Sequence, residues 1–394
     1  MAEAASSPDK RAPRRFVALD SMRGVSACII VLLHVFGAGW ITGSTFIARG
    51  NLFVDFFFVL SGFVIAASYG ERLAQGFPMR SFAFLRLGRL YPLHLAMLVV
   101  FAGLVGLREA GVFPADAIAW QMGSHEPGQF VRALLMVENF APGTSGWNGP
   151  SWSIEVELWT YLIAALAFAW LGRSAAIVFA FIAAGAGGAM LLYYMGIKPM
   201  PLGLNPYNLL RCLFAFSLGV IAWEGHRRFT GAWLLPRGLT TVLELGLVLL
   251  CVLAITFAPT IPLRTGIPFL FTALLLVLAH ERGWVSHLLM RRFPVLLGTL
   301  SYSIYMTHAA VLLTIAMLAA NLGWFDPTIG PVPGSRGTVL ERIVADLVAF
   351  GMLGVVILVS WCTYRWIERP AREWSRKIVA RRDAARAEAI APTF

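Results

Sequence analysis

Charge is scarce in this sequence. Asp, Glu, Lys and Arg make up 13% of its 394 residues, about half the share that soluble domains carry. That scarcity argues against a soluble globular chain. Cysteine is scarcer still. Cys28, Cys212, Cys251 and Cys362 lie in or beside apolar blocks, and none belongs to a C-x-x-C pair. Neither a disulfide framework nor a zinc or other metal site is indicated, and each cysteine reads as a small buried hydrophobe. The chain has no internal repeat and no low-complexity segment. It also lacks a basic stripe interleaved with aromatics, so its net charge of +11 does not point to nucleic acid.

What is abundant is apolar. Hydrophobic residues make up 58% of the chain, in blocks of roughly 18–24 residues, the length an α-helix needs to cross a bilayer. The blocks fall at about 17–37, 50–69, 89–107, 151–171, 174–194, 207–224, 239–258, 265–280, 295–318 and 340–362. They predict an all-α fold, a polytopic transmembrane helical bundle of about ten spans. The first block is too long for a signal peptide, is interrupted by Arg23 and ends without a small-residue cleavage site, so it reads as an uncleaved span.

With an even number of crossings both termini share one side. The loops and tails on that side carry 23 Lys and Arg against 7 on the other, with Arg23 and Arg211 inside spans. The positive-inside rule places the richer side, and both termini, in the cytoplasm. The expected organisation is a disordered basic N-tail over 1–15, a membrane-embedded domain over 16–374 and a basic, partly helical C-tail over 375–394. The Gly- and Pro-rich stretches 108–150 and 319–339 are expected to be non-cytoplasmic loops.

Several polar residues sit where a bilayer tolerates them poorly. Arg23 and His34 are eleven positions apart in the first span. At about 100° per residue they face the same side, with a rise of about 16 Å between them. A charge at mid-span costs about 2.5–3.5 kcal/mol on insertion scales, which makes such residues functional candidates. Snorkelling or pairing with Asp20 would serve Arg23 structurally, and an interhelical hydrogen bond would serve His34. Asp55 opens the second span, as a site group or as a helix cap. Arg86 and Arg89 lie one turn apart and, with Arg23, form a cationic patch suited to phosphates. Glu155 and Glu157 open the fourth span, but diverge on the helix so that only one can face a given site. His308, about 20 Å into the ninth span, reaches the same outer half as His34, Asp55 and Glu157. Arginines therefore gather below, imidazoles and carboxylates above.

These residues carry a resemblance. "LDSMRGVSACIIVLLH", "FVDFFFVLSGFVI", "RLGRLYP", "PSWSIEVELWTY", "LSYSIYMTH" and "ERPARE" follow, in order, the motifs of the acyltransferase-3 family of integral-membrane O-acyltransferases. Members of that family acetylate O-antigens, other surface glycans, Nod factors and some macrolides. The resemblance implies transfer from cytoplasmic acyl-CoA, usually acetyl-CoA, which acts as a co-substrate and not as a permanently bound cofactor. The acceptor it implies is a hydroxyl of a glycan or lipid-linked saccharide, in a bacterial cytoplasmic (inner) membrane. Membrane lipids surround such a protein, and assembly into a homo-oligomer stays open. By motif, Arg23, Arg86 and Arg89 match the acyl-CoA-binding positions, His34 the functional histidine and Glu157 the motif glutamate. Thr160, Met306 and Thr307 replace commoner residues, which touches acceptor preference.

The chemistry follows from the residues as well. A sugar hydroxyl attacking a thioester benefits from a general base, and imidazole has a near-neutral reference pKa. His34 can act as that base or accept the acyl group itself. Asp55 or Glu157 is expected to orient the imidazole or the hydroxyl, and His308 completes the catalytic set. The rival reading is a proton-coupled secondary transporter with His34, Asp55, Glu157 and His308 as its ion path. The paired, broken segments of such transporters are not evident in the sequence.

Overall fold

Every regular element among the described residues is helical. A computed structural model describes residues 15–35, 39–113, 126–140, 147–197, 207–229, 235–258, 264–323 and 338–390. The expected N-tail, Arg15 aside, lies outside these residues, as does most of 319–339. Eight stretches are long and apolar enough to cross a membrane. One of them, 151–194, is two helices, broken at Gly172, whose φ of 54° favours a residue without Cβ. With one shorter apolar helix, all ten apolar blocks are helical.

In chain order the α-helices of six residues or more are α1 (Val17–His34), α2 (Phe53–Ile65), α3 (Met79–Glu109), α4 (Pro127–Leu134), α5 (Ser151–Leu171), α6 (Ala175–Tyr194) and α7 (Tyr207–Phe229). Then follow α8 (Arg237–Phe257), α9 (Ile267–Leu278), α10 (Trp284–Leu289), α11 (Arg292–Asn321), α12 (Val339–Thr363) and α13 (Arg369–Ile390). A π-helical turn, Tyr364–Glu368, joins α12 to α13.

Helix α3 starts at Met79, directly after Pro78, ten residues before the start expected from hydropathy. Arg80, Arg86 and Arg89 make its first turns too polar to read as a span, yet leave the helical periodicity intact. The RxxR pair therefore stands well inside a helix. Burial separates inner from outer spans: in an 18-residue apolar window of each, 67% of residues within 50–74 and 61% within 207–229 are buried, against 22% within 237–257. Phe181 of α6, Phe257 of α8 and Leu340 of α12 are largely exposed. Such side chains suit a surface solvated by lipid tails.

Two helix pairs approach unusually closely. A Cβ on Gly24 of α1 would stand 2.3 Å from the carbonyl carbon of Leu297, and one on Gly298 of α11 would stand 2.5 Å from the Asp20 carbonyl oxygen. A Cβ on Gly62 of α2 would stand 2.0 Å from the Phe216 carbonyl oxygen, and one on Gly219 of α7 would stand 1.9 Å from that of Val59. Between apolar helices in lipid, close van der Waals packing at small residues supplies much of the association. These four glycines set the spacing of the inner bundle.

Of the stretch expected to be a loop, 108–150, the described residues 126–140 pack against α3 and α5. The Ala133 carbonyl accepts from His94 Nε2 at 2.9 Å, that of Leu134 from the Tyr91 hydroxyl at 3.0 Å, and that of Met136 from Trp159 Nε1 at 2.8 Å. Glu155, 2% exposed, accepts from the backbone N–H groups of Glu138 (2.9 Å) and Asn139 (2.6 Å). Irregular backbone at membrane depth persists only where protein satisfies its polar groups, and here four side chains do so. Of the two neighbouring glutamates, Glu155 is thus the one used in holding the fold.

Two outcomes test this packing. Gly24→Ala forces backbone to move and lowers stability by about 1–3 kcal/mol, whereas Gly246→Ala, with nothing near its Cβ position, leaves the melting temperature in detergent unchanged or raised. Glu155→Ala strands two buried N–H groups at about 1–3 kcal/mol each. Its melting temperature should fall clearly, with Glu155→Gln, which keeps one acceptor oxygen, falling less.

Candidate active site

The contact at Gly24 and Gly298 also sets a register. Ten residues further along each helix stand His34 and His308, so α1 and α11 run parallel and bring the two imidazoles level. Their ring centroids are 4.9 Å apart. His34 Nδ1 lies 2.8 Å from the Ile30 carbonyl, and His308 Nδ1 lies 2.6 Å from that of Tyr305. A carbonyl only accepts, so each Nδ1 carries the hydrogen and each Nε2 keeps a lone pair. His308 is fully buried, and its Nε2 has no hydrogen-bond partner among the described residues. His34 is exposed to a cavity of about 400 Å³ that both histidines line together with Asn51, Val54, Trp152 and Tyr305.

The arginines stand at the other end of the same helices. Arg23 donates from Nε to the Ser301 hydroxyl at 2.8 Å and pairs with Asp20 at 3.3 Å. Arg86 donates to the Tyr69 hydroxyl at 2.9 Å, its guanidinium 4.8 Å from the centre of that ring. Arg89 lies within electrostatic reach of Tyr161, Glu368, Glu157 and Asp20, and Arg23 within reach of Arg89 and Glu368. The sequence-predicted arginines therefore share one layer. The start of α1 and the end of α12 lie together there, as an even number of crossings requires.

The carboxylates sit elsewhere than beside the imidazoles. Glu157 accepts from the Ser61 hydroxyl and, at 2.5 Å, from that of Tyr161, on the side of the arginine layer. Asp55, 3% exposed, is held by Arg211 through Nε at 2.5 Å and Nη2 at 3.2 Å. Among the described residues neither carboxylate bonds a histidine. The imidazoles are oriented by the carbonyls of Ile30 and Tyr305, so of the two roles expected of Asp55 or Glu157, orienting the imidazole is filled by backbone. Between the layers run hydroxyls: Ser153 donates to the Tyr305 hydroxyl at 2.8 Å, and the Tyr302 hydroxyl bonds the Leu90 carbonyl.

Two residues that sequence reasoning assigned no role belong to this arrangement. Arg211 is an intramembrane cation, itself a signal, but its partner lies 156 residues away. Glu368, 2% exposed, accepts from Ser303 at 2.8 Å and Arg372 at 3.1 Å. It opens the motif ERPARE; the helix that follows returns to pack on α3, where a Cβ on Gly88 would stand 2.5 Å from that of Ser375.

Comparison with known proteins places this geometry. A family model described as an acyltransferase domain matches residues 16–365. "Protein 2 in picA locus" of Rhizobium radiobacter is 38% identical over 161 residues, 37% of this chain and 78% of that protein. "Acyltransferase MdmB" of Streptomyces mycarofaciens is 28% identical over 163 residues, 38% of this chain and 39% of that protein. No solved structure is significantly similar. The motif that holds Arg23, Gly24 and His34, and the one that holds His308, fall within the matched range: the chain belongs to the acyltransferase-3 family of membrane acyltransferases.

Proposed function

We propose that the protein transfers an acyl group, acetyl above all, from acyl-CoA on the cytoplasmic side to a hydroxyl of a glycan or lipid-linked saccharide. The observation that carries this reading is the polarity of the inner bundle. A layer of Arg23, Arg86 and Arg89 lies at one end, and a histidine with a free Nε2 opens on a cavity about 16 Å along the same helix. Coenzyme A has that form, a polyanionic head on a long uncharged arm ending in the thioester.

The arginines hold the phosphates as charge-assisted pairs, and the pantetheine arm runs past Tyr302 and Tyr305 towards the cavity. His34 Nε2 takes the proton of the acceptor hydroxyl as its oxygen attacks the thioester carbonyl carbon. The carbon–sulfur bond breaks and the CoA sulfur leaves with a proton returned by the imidazolium. In the two-step form His34 Nε2 attacks the thioester carbonyl carbon first, the carbon–sulfur bond breaks and CoA departs as its thiolate, leaving an acyl-imidazolium. The hydroxyl oxygen then attacks the acyl carbon, the carbon–nitrogen bond breaks to restore the neutral imidazole, and the hydroxyl proton passes to the CoA thiolate. Both forms require the Nδ1–H of His34 to stay on the Ile30 carbonyl, which fixes the tautomer. His308, 4.9 Å away, keeps the cavity wall polar beside the reacting atoms.

Two outcomes test the division of roles in purified protein supplied with acetyl-CoA. His34→Ala should lower thioester turnover by about 10²–10⁴-fold while binding acetyl-CoA as the wild type does. Arg23→Ala should weaken acetyl-CoA binding about tenfold or more, as expected for one charge-assisted bond of about 1.5–3 kcal/mol, with Arg23→Lys in between. Calorimetry and release of free CoA thiol measure the two. A folded wild type that neither binds nor cleaves acetyl-CoA would sink the reading.

A further inference from the structure

Beside the histidine cavity lies a second cavity, of about 300 Å³, which the transfer described above leaves unused. Both have the size of small-ligand sites, about 300–1,000 Å³. Asn51 lines both. Arg211 lines the second and stacks 5.6 Å from the ring of Trp152, which lines the first. One layer of side chains therefore separates an occupant of the second cavity from His34.

The lining combines two chemistries. One is a buried, preorganised polar group: Arg211 grips both Asp55 oxygens and donates to the Asn51 carbonyl at 2.7 Å. No described residue accepts from Arg211 Nη1, and a carboxylate has acceptor sites beyond the two that Arg211 takes. Arg264 adds a second guanidinium, its Nε without a hydrogen-bond partner among the described residues. The other chemistry is aromatic. Tyr193 and Tyr207 present rings 5.7 Å apart, tilted by 33°, and the Tyr194 hydroxyl meets that of Tyr207.

An acyl chain would leave Arg211 Nη1 and Arg264 Nε against apolar atoms with no acceptor, a cost that disfavours it as the natural occupant. Inorganic phosphate would use the arginines but neither Asp55 nor the rings. A pyranose uses the whole lining. Its hydroxyls accept from Arg211 and Arg264 and donate to Asp55, and its C–H faces lie against tyrosine rings, which offer an apolar face with a polar tip.

We propose that this cavity is the subsite for the sugar ring of the acceptor, which presents its hydroxyl past Asn51 to His34. Asp55 and Arg211 then position the sugar, and the tyrosines set which ring fits. The proposal rests on the acyltransferase reading, but its test does not depend on turnover.

The test is direct binding of methyl glycosides (glucoside, galactoside, mannoside, rhamnoside and a uronate), followed by saturation transfer from protein to the sugar C–H protons. The protein is held in a detergent without a sugar headgroup, and the octyl glycosides form a second arm that separates free from lipid-linked sugars. Wild type and His34→Ala should bind at least one of them, with no acyl-CoA present. Tyr193→Ala, truncating a side chain already 36% exposed, and Arg264→Gln should each weaken that binding about tenfold. Both variants should keep the acetyl-CoA affinity of the wild type, which shows them folded. Sugar binding that is equal in wild type, Tyr193→Ala and Arg264→Gln overturns the subsite, as does the absence of binding by any glycoside in the set. Sugar binding without any acetyl-CoA binding would instead leave the subsite standing and remove the transferase reading.

Discussion

The backbone-to-backbone approach of α1 and α11 at Gly24 and Gly298 is the constraint on which the rest of the structure depends. In lipid, two apolar helices gain little from burying hydrophobic surface, so close contact must come from shape. With no Cβ at either glycine the helices touch along their backbones. Ten residues on, that contact sets the His34 and His308 rings 4.9 Å apart, and at its own level it lets Arg23 reach Ser301. The α2–α7 pair repeats the device. Gly219 packs against Phe63 as well as Val59, and eight residues back along both helices Asp55 meets Arg211. Two parallel, glycine-locked pairs thus carry the histidines and the buried ion pair.

Four acidic groups in the bundle are matched by cations. Asp20, Glu157 and Glu368 lie among Arg23, Arg89 and Arg372, and Asp55 is matched by Arg211. Buried pairs of this kind add little net stability, yet removing one partner strands the other at about 3–5 kcal/mol. They therefore tie the helices into one arrangement. The histidines are the exception in kind: they are held by backbone carbonyls and carry no permanent charge. The proposed transfer would need that separation, since a fixed cation beside His34 Nε2 would disfavour its taking up a proton.

Much of this was legible in order. The ten blocks were readable because a span must be apolar for about 20 residues, and the shared face of Arg23 and His34 because a helix repeats every 3.6 residues. The divergence of Glu155 and Glu157 followed from the same geometry. Hydropathy failed where it had to, at the start of α3, because an arginine that faces protein, as Arg86 does, weighs as heavily in a hydropathy window as one that faces lipid.

The sequence by itself determined which segments are helices, which of them enter the membrane and which polar residues share a face of one helix, because all of these are local properties of composition and period. It also contained the motifs that identify the family. Only the tertiary structure decided which helices adjoin. It gave Asp55 to Arg211, Glu157 to Ser61 and Tyr161, and Glu155 to a folded-back turn, and it set His308 beside His34. Apart from the Glu157–Tyr161 contact, made within one helix, each of those pairings joins elements from 16 to 274 positions apart, and which helix faces which is a choice of packing that hydropathy and helical period do not encode.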